Sequence, residues 1–129
     1  MRFAPSSCMA TDHRNLSAFT LADELVLRIY RITRTLPVWE TYGLRSQMRR
    51  AAVSIPTNIV EGAARDSDRE HDRYYEIAFA STRELVYLLE LCGKLELIEL
   101  KSADELRDFA GRVAAALAAL RKSLSHRKT

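Results

Sequence analysis

The sequence predicts an all-α fold, an antiparallel up-down-up-down four-helix bundle. Three observations predict it. Apolar residues recur at steps of three and four along four long segments, the period of an amphipathic helix. Glycine and proline are scarce, four and three in 129 residues, so the chain has few places to turn. The connections between segments are short, which sets neighbouring helices antiparallel. A hydrophobic share of 47% is enough to build one domain around a core. The expected layout is a tail at 1–14, the bundle at 15–126 and a basic end at 127–129.

The first helix is expected from Leu16 to Leu36, with Asn15 as its N-cap. Phe19, Ala22, Leu25, Val26, Ile29, Ile32 and Leu36 fall on one face. Pro37 stops it, because a proline pushes the preceding residue out of the helical region. The connection passes Trp39 and Tyr42 and ends near Gly43. The second helix is expected from Leu44 to Glu61, apolar at Leu44, Met48, Ala51, Ala52, Ile55 and Ile59, with Gly62 as its C-terminal cap. The third is expected from Asp68 to Lys94 behind a capping box, Ser67 with Glu70. Tyr74, Ala78, Ser81, Leu85, Leu88, Cys92 and Leu95 alternate in steps of four and three. A second stripe of Tyr75, Phe79, Thr82, Val86 and Leu89 lies beside it. The two together are wider than one bundle seam needs. Ile77, Tyr87 and Leu91 widen it further, which points to a contact between subunits. The alternative is that the first or fourth helix covers the whole face.

The fourth helix is expected from Ala103 to Leu124, with Ser102 and Glu105 as a second capping box. Leu106, Ala110, Val113, Leu117, Leu120 and Leu124 keep the same alternation, and alanines crowd the rest. Alanine is the best helix former and also admits a close neighbour.

Pro56 interrupts the second helix. It has no N–H for the Ala52 carbonyl, and its ring pushes that carbonyl aside. A continuous, kinked helix is expected, since the apolar face keeps phase from Leu44 to Ile59. The alternative is a break, with Ser54 capping a new helix. Gln47, Arg50, Ser54, Asn58 and Glu61 step along one face. Short polar side chains within a helix usually have a local hydrogen-bonding reason. They would bond carbonyls freed by the proline or line a subunit contact; otherwise the stripe is a solvated face.

The stretch LRSQMRRAAVSIPTNIVEGAAR resembles the signature of the 23S ribosomal RNA intervening-sequence protein family, the four-helix-bundle proteins. That signature runs roughly Q-x-x-R-A-x-x-S-I-P-x-N-I-x-E-G and then Arg. Gln47, Arg50, Ala51, Ser54, Ile55, Pro56, Asn58, Ile59, Glu61, Gly62 and Arg65 match it. The flanks LADELVLRIYRIT and RYYEIAFASTRELVYLLELCGKL are similar to the family's first and third helices. The resemblance covers about residues 15–100. Phe19 stands where the family often has Trp, and Ala80 where it often has Gly. The resemblance implies a ring-like homopentamer and no established enzymatic activity. A distant structural likeness is to the basic pentameric accessory protein of diversity-generating retroelements, which is thought to engage nucleic acid. For the matched residues the family implies a structural or subunit-contact role.

Net charge is +3, unevenly spread. Residues 1–64 balance to +3, residues 65–100 to −4 and residues 101–129 to +4. The basic end can attract polyanions, or can simply suit the helix dipole. Arg49, Arg50, Arg121, Lys122, Arg127 and Lys128 are the candidate phosphate contacts, with RNA or DNA as the partner. The competing expectation is a protein-interaction scaffold whose partner is an unidentified protein. Arg121-x4-His126 and Arg65-x5-His71 fit the Arg-x4–6-His spacing of HEPN-type RNA-cleaving bundles. Sixteen arginines and three histidines make that spacing easy to meet by chance. No catalytic, cofactor or metal signature is present in the sequence: no phosphate loop, dinucleotide fingerprint, metalloprotease helix, C-x-x-C pair or paired Glu-x-x-His. The first residues lack the apolar core of a secretory signal, and the longest apolar run, Val113 to Leu120, cannot span a bilayer. Cys8 and Cys92 lie far apart, in tail and core, so a reduced cytoplasmic setting is expected.

Overall fold

The computed structural model describes residues 10–128, with side chains through 124. Four α-helices carry the described chain: α1 (Ser17–Thr33), α2 (Leu44–Ala63), α3 (Asp68–Lys94) and α4 (Leu100–Lys128). Two single turns of 3-10 helix, His13–Asn15 and Val38–Glu40, precede α1 and α2. Among the described residues there is no strand. Each helix packs on two others, α1 on α2 and α4, α3 on α2 and α4, and among the described residues no Cα atoms of a diagonal pair lie within 8 Å.

Side-chain contacts fix the directions. Arg45, at the start of α2, reaches Thr33 at the end of α1. Cys92 Sγ, near the end of α3, lies 3.5 Å from Met48 Sδ, near the start of α2. Arg121, late in α4, bonds Asp72, early in α3. Leu16 and Ala18 share a small pocket with Ala116 and Leu120, so the start of α1 meets the end of α4. Every neighbouring pair is therefore antiparallel.

The core follows the apolar stripes, except that Leu95, at the end of the first α3 stripe, is exposed. Ala22, Leu25 and Ile29 of α1, Met48, Ala52, Ile55 and Ile59 of α2, Leu85 and Leu89 of α3, and Val113 and Leu117 of α4 are almost wholly removed from solvent. Tyr75, on the second stripe of α3, is buried too. Complete burial of one such side chain stabilises by about 1.5–3 kcal/mol, so these residues dominate the fold.

The ends differ from the sequence's expectations in instructive ways. Asn15 does not cap α1. It belongs to the preceding single turn, which Asp12 caps through Arg14 N, and the extended Leu16 takes the N-cap place without a side-chain bond. The last turn of α1 tightens, with Arg34, Thr35 and Leu36 N–H groups bonding three residues back, so the α-helix stops at Thr33 rather than Leu36. Ser67 caps α3 as expected, accepting from Glu70 N at 3.1 Å.

Ser102 does not cap α4, which begins at Leu100, with the Glu99 carbonyl accepting from Ala103 N. The cause lies in the turn before it. Glu96 has φ 59°, and the Leu97 and Glu96 N–H groups bond the carbonyls of Cys92 and Gly93. That is a Schellman ending with glutamate in the left-handed position usually held by glycine. It reverses the chain within a few residues and lets α4 begin early.

Candidate functional site

α2 runs without interruption through Pro56, which is buried within it. The broken-helix alternative, with Ser54 capping a new helix, is thereby excluded. Ser54 and Asn58 have a local hydrogen-bonding reason, but a different one from the proline's freed carbonyl. Asn58 Nδ2 donates to the Ser54 carbonyl at 2.8 Å and to its hydroxyl at 3.0 Å. The Ser54 hydroxyl shares a 2.8 Å bond with Ser81 Oγ of α3. Because Ser54 accepts from Asn58, its own hydrogen is free for Ser81. The pair of serines thus joins α2 to α3 halfway along their contact. Gln47 and Arg50 of the same stripe are exposed.

Gly62 is not a C-terminal cap. It lies inside α2, which ends at Ala63 with Ala64 as its right-handed cap. Its role is close approach. A Cβ there would stand 2.8 Å from Tyr75 Cε1 and 2.9 Å from Tyr74 Cβ. The Gly62 carbonyl meets His71 Nδ1 at 2.6 Å. A carbonyl only accepts, so Nδ1 carries the proton of that bond, leaving Nε2 buried with no partner among the described residues. Glu61 pairs with Arg65 at 2.8 Å, and that bond raises the arginine's pKa above its ordinary value. The Arg65 guanidinium also covers the Tyr74 ring at 5.0 Å. Arg65 and His71, which share a ribonuclease-like spacing, therefore serve different packing tasks, and His71 is closed off from solvent.

The six candidate phosphate contacts separate. Arg49 is engaged with the end of α1: Nε donates to Thr33 Oγ1 at 2.8 Å and Nη2 to the Tyr30 carbonyl at 3.3 Å. Its guanidinium covers the Tyr30 ring at 4.4 Å. Arg45, which the sequence reading passed over, donates to the Thr33 carbonyl at 3.0 Å and the Leu36 carbonyl at 2.6 Å. These carbonyls lie at the negative end of a helix, where a cation is favoured. The signal was available: arginines four apart at the head of a helix, just after the end of its neighbour.

Arg121 is bound by Asp72 at 2.8 Å, with Glu76 at 3.9 Å, and the Asp72 bond raises its pKa above the ordinary arginine value. Arg50 and Lys122 are exposed, with no partner among the described residues. They lie on α2 and α4, the diagonal helices. The Arg127, Lys128 and His126 side chains lie outside the described residues, so the Arg121–His126 pairing does too.

A groove of about 780 Å³ runs along the outer side of α2. Arg45, Arg49 and Arg50 line it, with Tyr30 on one side and Tyr42 from the α1–α2 connection at one end. Ser54, Thr57 and Asn58 continue its wall. No group of three or more potential metal ligands occurs among the described residues, and none of their helices is long and apolar enough to cross a membrane.

The family model for the 23S rRNA-intervening sequence protein matches residues 14–119. A crystal structure of a protein of unknown function from the S23 ribosomal protein family of Bacteroides thetaiotaomicron has the same fold. Its TM-score is 0.76 at 22% identity, over 81% of this chain and 98% of that one. No curated protein matches the chain. With its four antiparallel helices and the motif on α2, the chain belongs to the 23S rRNA-intervening sequence protein family.

Proposed function

We propose that the protein is a non-catalytic homo-oligomer, a ring of five copies, held together through the outer ridge of α3. One observation carries the association, and the number five is what the family resemblance implies. Ile77 and Tyr87 lie on one side of α3, with Ala80 and Glu84 between them, and remain 40% and 54% exposed. Neither α1 nor α4 covers them. Burying the exposed half of two such side chains contributes about 2 kcal/mol per contact. That is too little to offset the entropy of association alone, so the interface extends further. A closed ring needs two different surfaces per copy, since its contacts are head-to-tail. The end of the bundle where Val38, Trp39, Leu95 and Leu100 are exposed offers a second apolar surface.

Light scattering after gel filtration tests this reading. Five copies of 14.7 kDa give about 74 kDa. Ile77→Glu with Tyr87→Glu should give the single-chain mass with helical content unchanged, because both side chains are already exposed. A wild-type protein that elutes as a single chain at micromolar concentration refutes the proposal.

Nucleic-acid binding is a second reading, favoured by Arg50 and Lys122, which are unengaged among the described residues, and by the basic composition of the end that carries Arg127 and Lys128. Binding of structured RNA and duplex DNA between about 50 and 300 mM salt tests it. Affinity should fall along a straight line in log salt, with a slope that counts the phosphates neutralised. A protein-interaction scaffold would show no such slope.

A further inference from the structure

We infer that the groove on the outer side of α2 is a binding site for a phosphorylated nucleoside, either a free nucleotide or one unit of a single strand. The ligand's class rests on the nucleic-acid reading above. The place does not: that reading draws on surface cations of diagonal helices, whereas this is one concave site.

Charge is the first reason. Three arginines line the groove, and no carboxylate does. Arg45 and Arg49 are held by carbonyls, a hydroxyl and a ring, so their geometry is fixed while their charge is not cancelled by an acid. Arg50 has no partner among the described residues. A cleft lined by one sign of charge concentrates its field and draws in an anion. Arginine's planar fork suits the oxygens of a phosphate better than a point charge would.

Shape and surface are the second reason. The volume, about 780 Å³, lies within the usual range for a ligand site. Tyr42, one of the lining residues, is 95% exposed, and Tyr30 is another, its ring under the Arg49 guanidinium. An exposed tyrosine and a free arginine lining the same groove offer a flat face for a base and a cation for its phosphate. Val53 gives the floor an apolar patch, and Asn58 and Thr57 place polar atoms along the wall. In this arrangement Arg50 binds the phosphate, Arg45 and Arg49 supply the surrounding positive potential, and Tyr42 stacks on the base.

Two clean variants test the site, because neither residue supports the fold. Arg50→Glu reverses the groove arginine that has no partner among the described residues, and Tyr42→Ala removes an almost fully exposed ring. The probes are AMP, adenosine and a 5′-phosphorylated single-stranded oligonucleotide, titrated by calorimetry against the full chain. AMP should bind at least tenfold more tightly than adenosine. Arg50→Glu should abolish AMP binding, and Tyr42→Ala should weaken it about tenfold, within the range for loss of base stacking. Lys101→Ala, at an exposed cation of α4 outside the groove, should leave it unchanged. A tighter oligonucleotide assigns the groove to a strand, and equal affinities assign it to a free nucleotide.

Several results overturn the site. One is adenosine binding as well as AMP, and another is AMP binding unaltered in Arg50→Glu. A change of oligomeric mass in Arg50→Glu, without any AMP binding by the wild type, gives the groove to a second copy. Salt-sensitive RNA binding that survives Arg50→Glu but is lost on neutralising Lys122, Arg127 and Lys128 removes this site and keeps the broader reading. Absence of binding to any of these probes and to RNA removes both.

Discussion

The same substitution at two glycines should have opposite signs. In a helix interior alanine is favoured over glycine by about 0.5–1 kcal/mol, because glycine gives up more conformational freedom on folding. Gly111 of α4 shows that gain alone, since among the described residues nothing beyond its own helix backbone and chain neighbours lies within 4 Å of where its Cβ would be. Gly111→Ala should stabilise by up to about 1 kcal/mol.

At Gly62 the new Cβ would stand 2.8 Å and 3.0 Å from two ring carbons of Tyr75, and 2.9 Å from Tyr74 Cβ. The Tyr75 ring is buried, and Tyr74 Cβ is fixed to the backbone of α3. Relief therefore requires α3 to move away from α2, stretching the His71 bond to the Gly62 carbonyl. Overpacking of this kind costs about 1–3 kcal/mol. After the helical gain, Gly62→Ala should destabilise by about 1–2 kcal/mol, a fall of several degrees in Tm for a chain of this length. Urea unfolding followed by circular dichroism measures it. All variants must be compared at one protein concentration, because subunit association makes apparent stability concentration-dependent. If Gly62→Ala gains stability as Gly111→Ala does, the close approach of α2 and α3 is wrong. If Gly111→Ala loses stability, a neighbouring copy occupies the space beside α4.

Further outcomes follow from the same contacts. Arg45→Met should cost about 1.5–3 kcal/mol by urea unfolding, since it takes a charged donor from the Thr33 and Leu36 carbonyls. Glu96→Gly should raise stability by about 1 kcal/mol, because it relieves a left-handed backbone that only glycine adopts freely. Asp72→Asn should cost less than about 1 kcal/mol, less still at high salt, because its pair with Arg121 is only partly buried.

Burial, with the Glu40 charge adding to it, pushes the Cys92 thiol up to about 11. The folded state therefore holds that proton to higher pH than the unfolded chain does. Its contribution is complete below the ordinary thiol range and is lost as pH rises towards about 11. In a Cys8→Ser background, a thiol reagent at pH 8 should react only after unfolding. Rapid reaction of the native protein would show that Cys92 is accessible.

How much of this was legible in the sequence depends on range. Apolar stripes at helical spacing located the four helices, since a helix in water must hide one face, and that need is written in local periodicity. The bounds of α3 were readable because Ser67, a side-chain cap, sits in the sequence beside what it caps. Caps formed by distant or unusual groups were not readable. Glu96 takes a glycine's place in the turn between α3 and α4, a position no residue type in the sequence announces. The carbonyls at the end of α1 are satisfied by Arg45 and Arg49 of the next helix.

The motif on α2 was visible as a pattern, but its meaning was not. Spacing places Ser54, Asn58 and Gly62 on the helix; only the third helix, with Ser81, Tyr74, Tyr75 and His71, says what they touch. The candidate site divides the same way. Sequence counts cations, yet whether a cation is free depends on what folding brings beside it. Arg49 and Arg121 find partners 16 and 49 residues away, while Arg50 finds none among the described residues. Local periodicity thus determined the helices and their buried faces. Only the tertiary structure decided which polar groups remained to meet a ligand, because charge and hydrogen-bonding capacity are neutralised by neighbours in space.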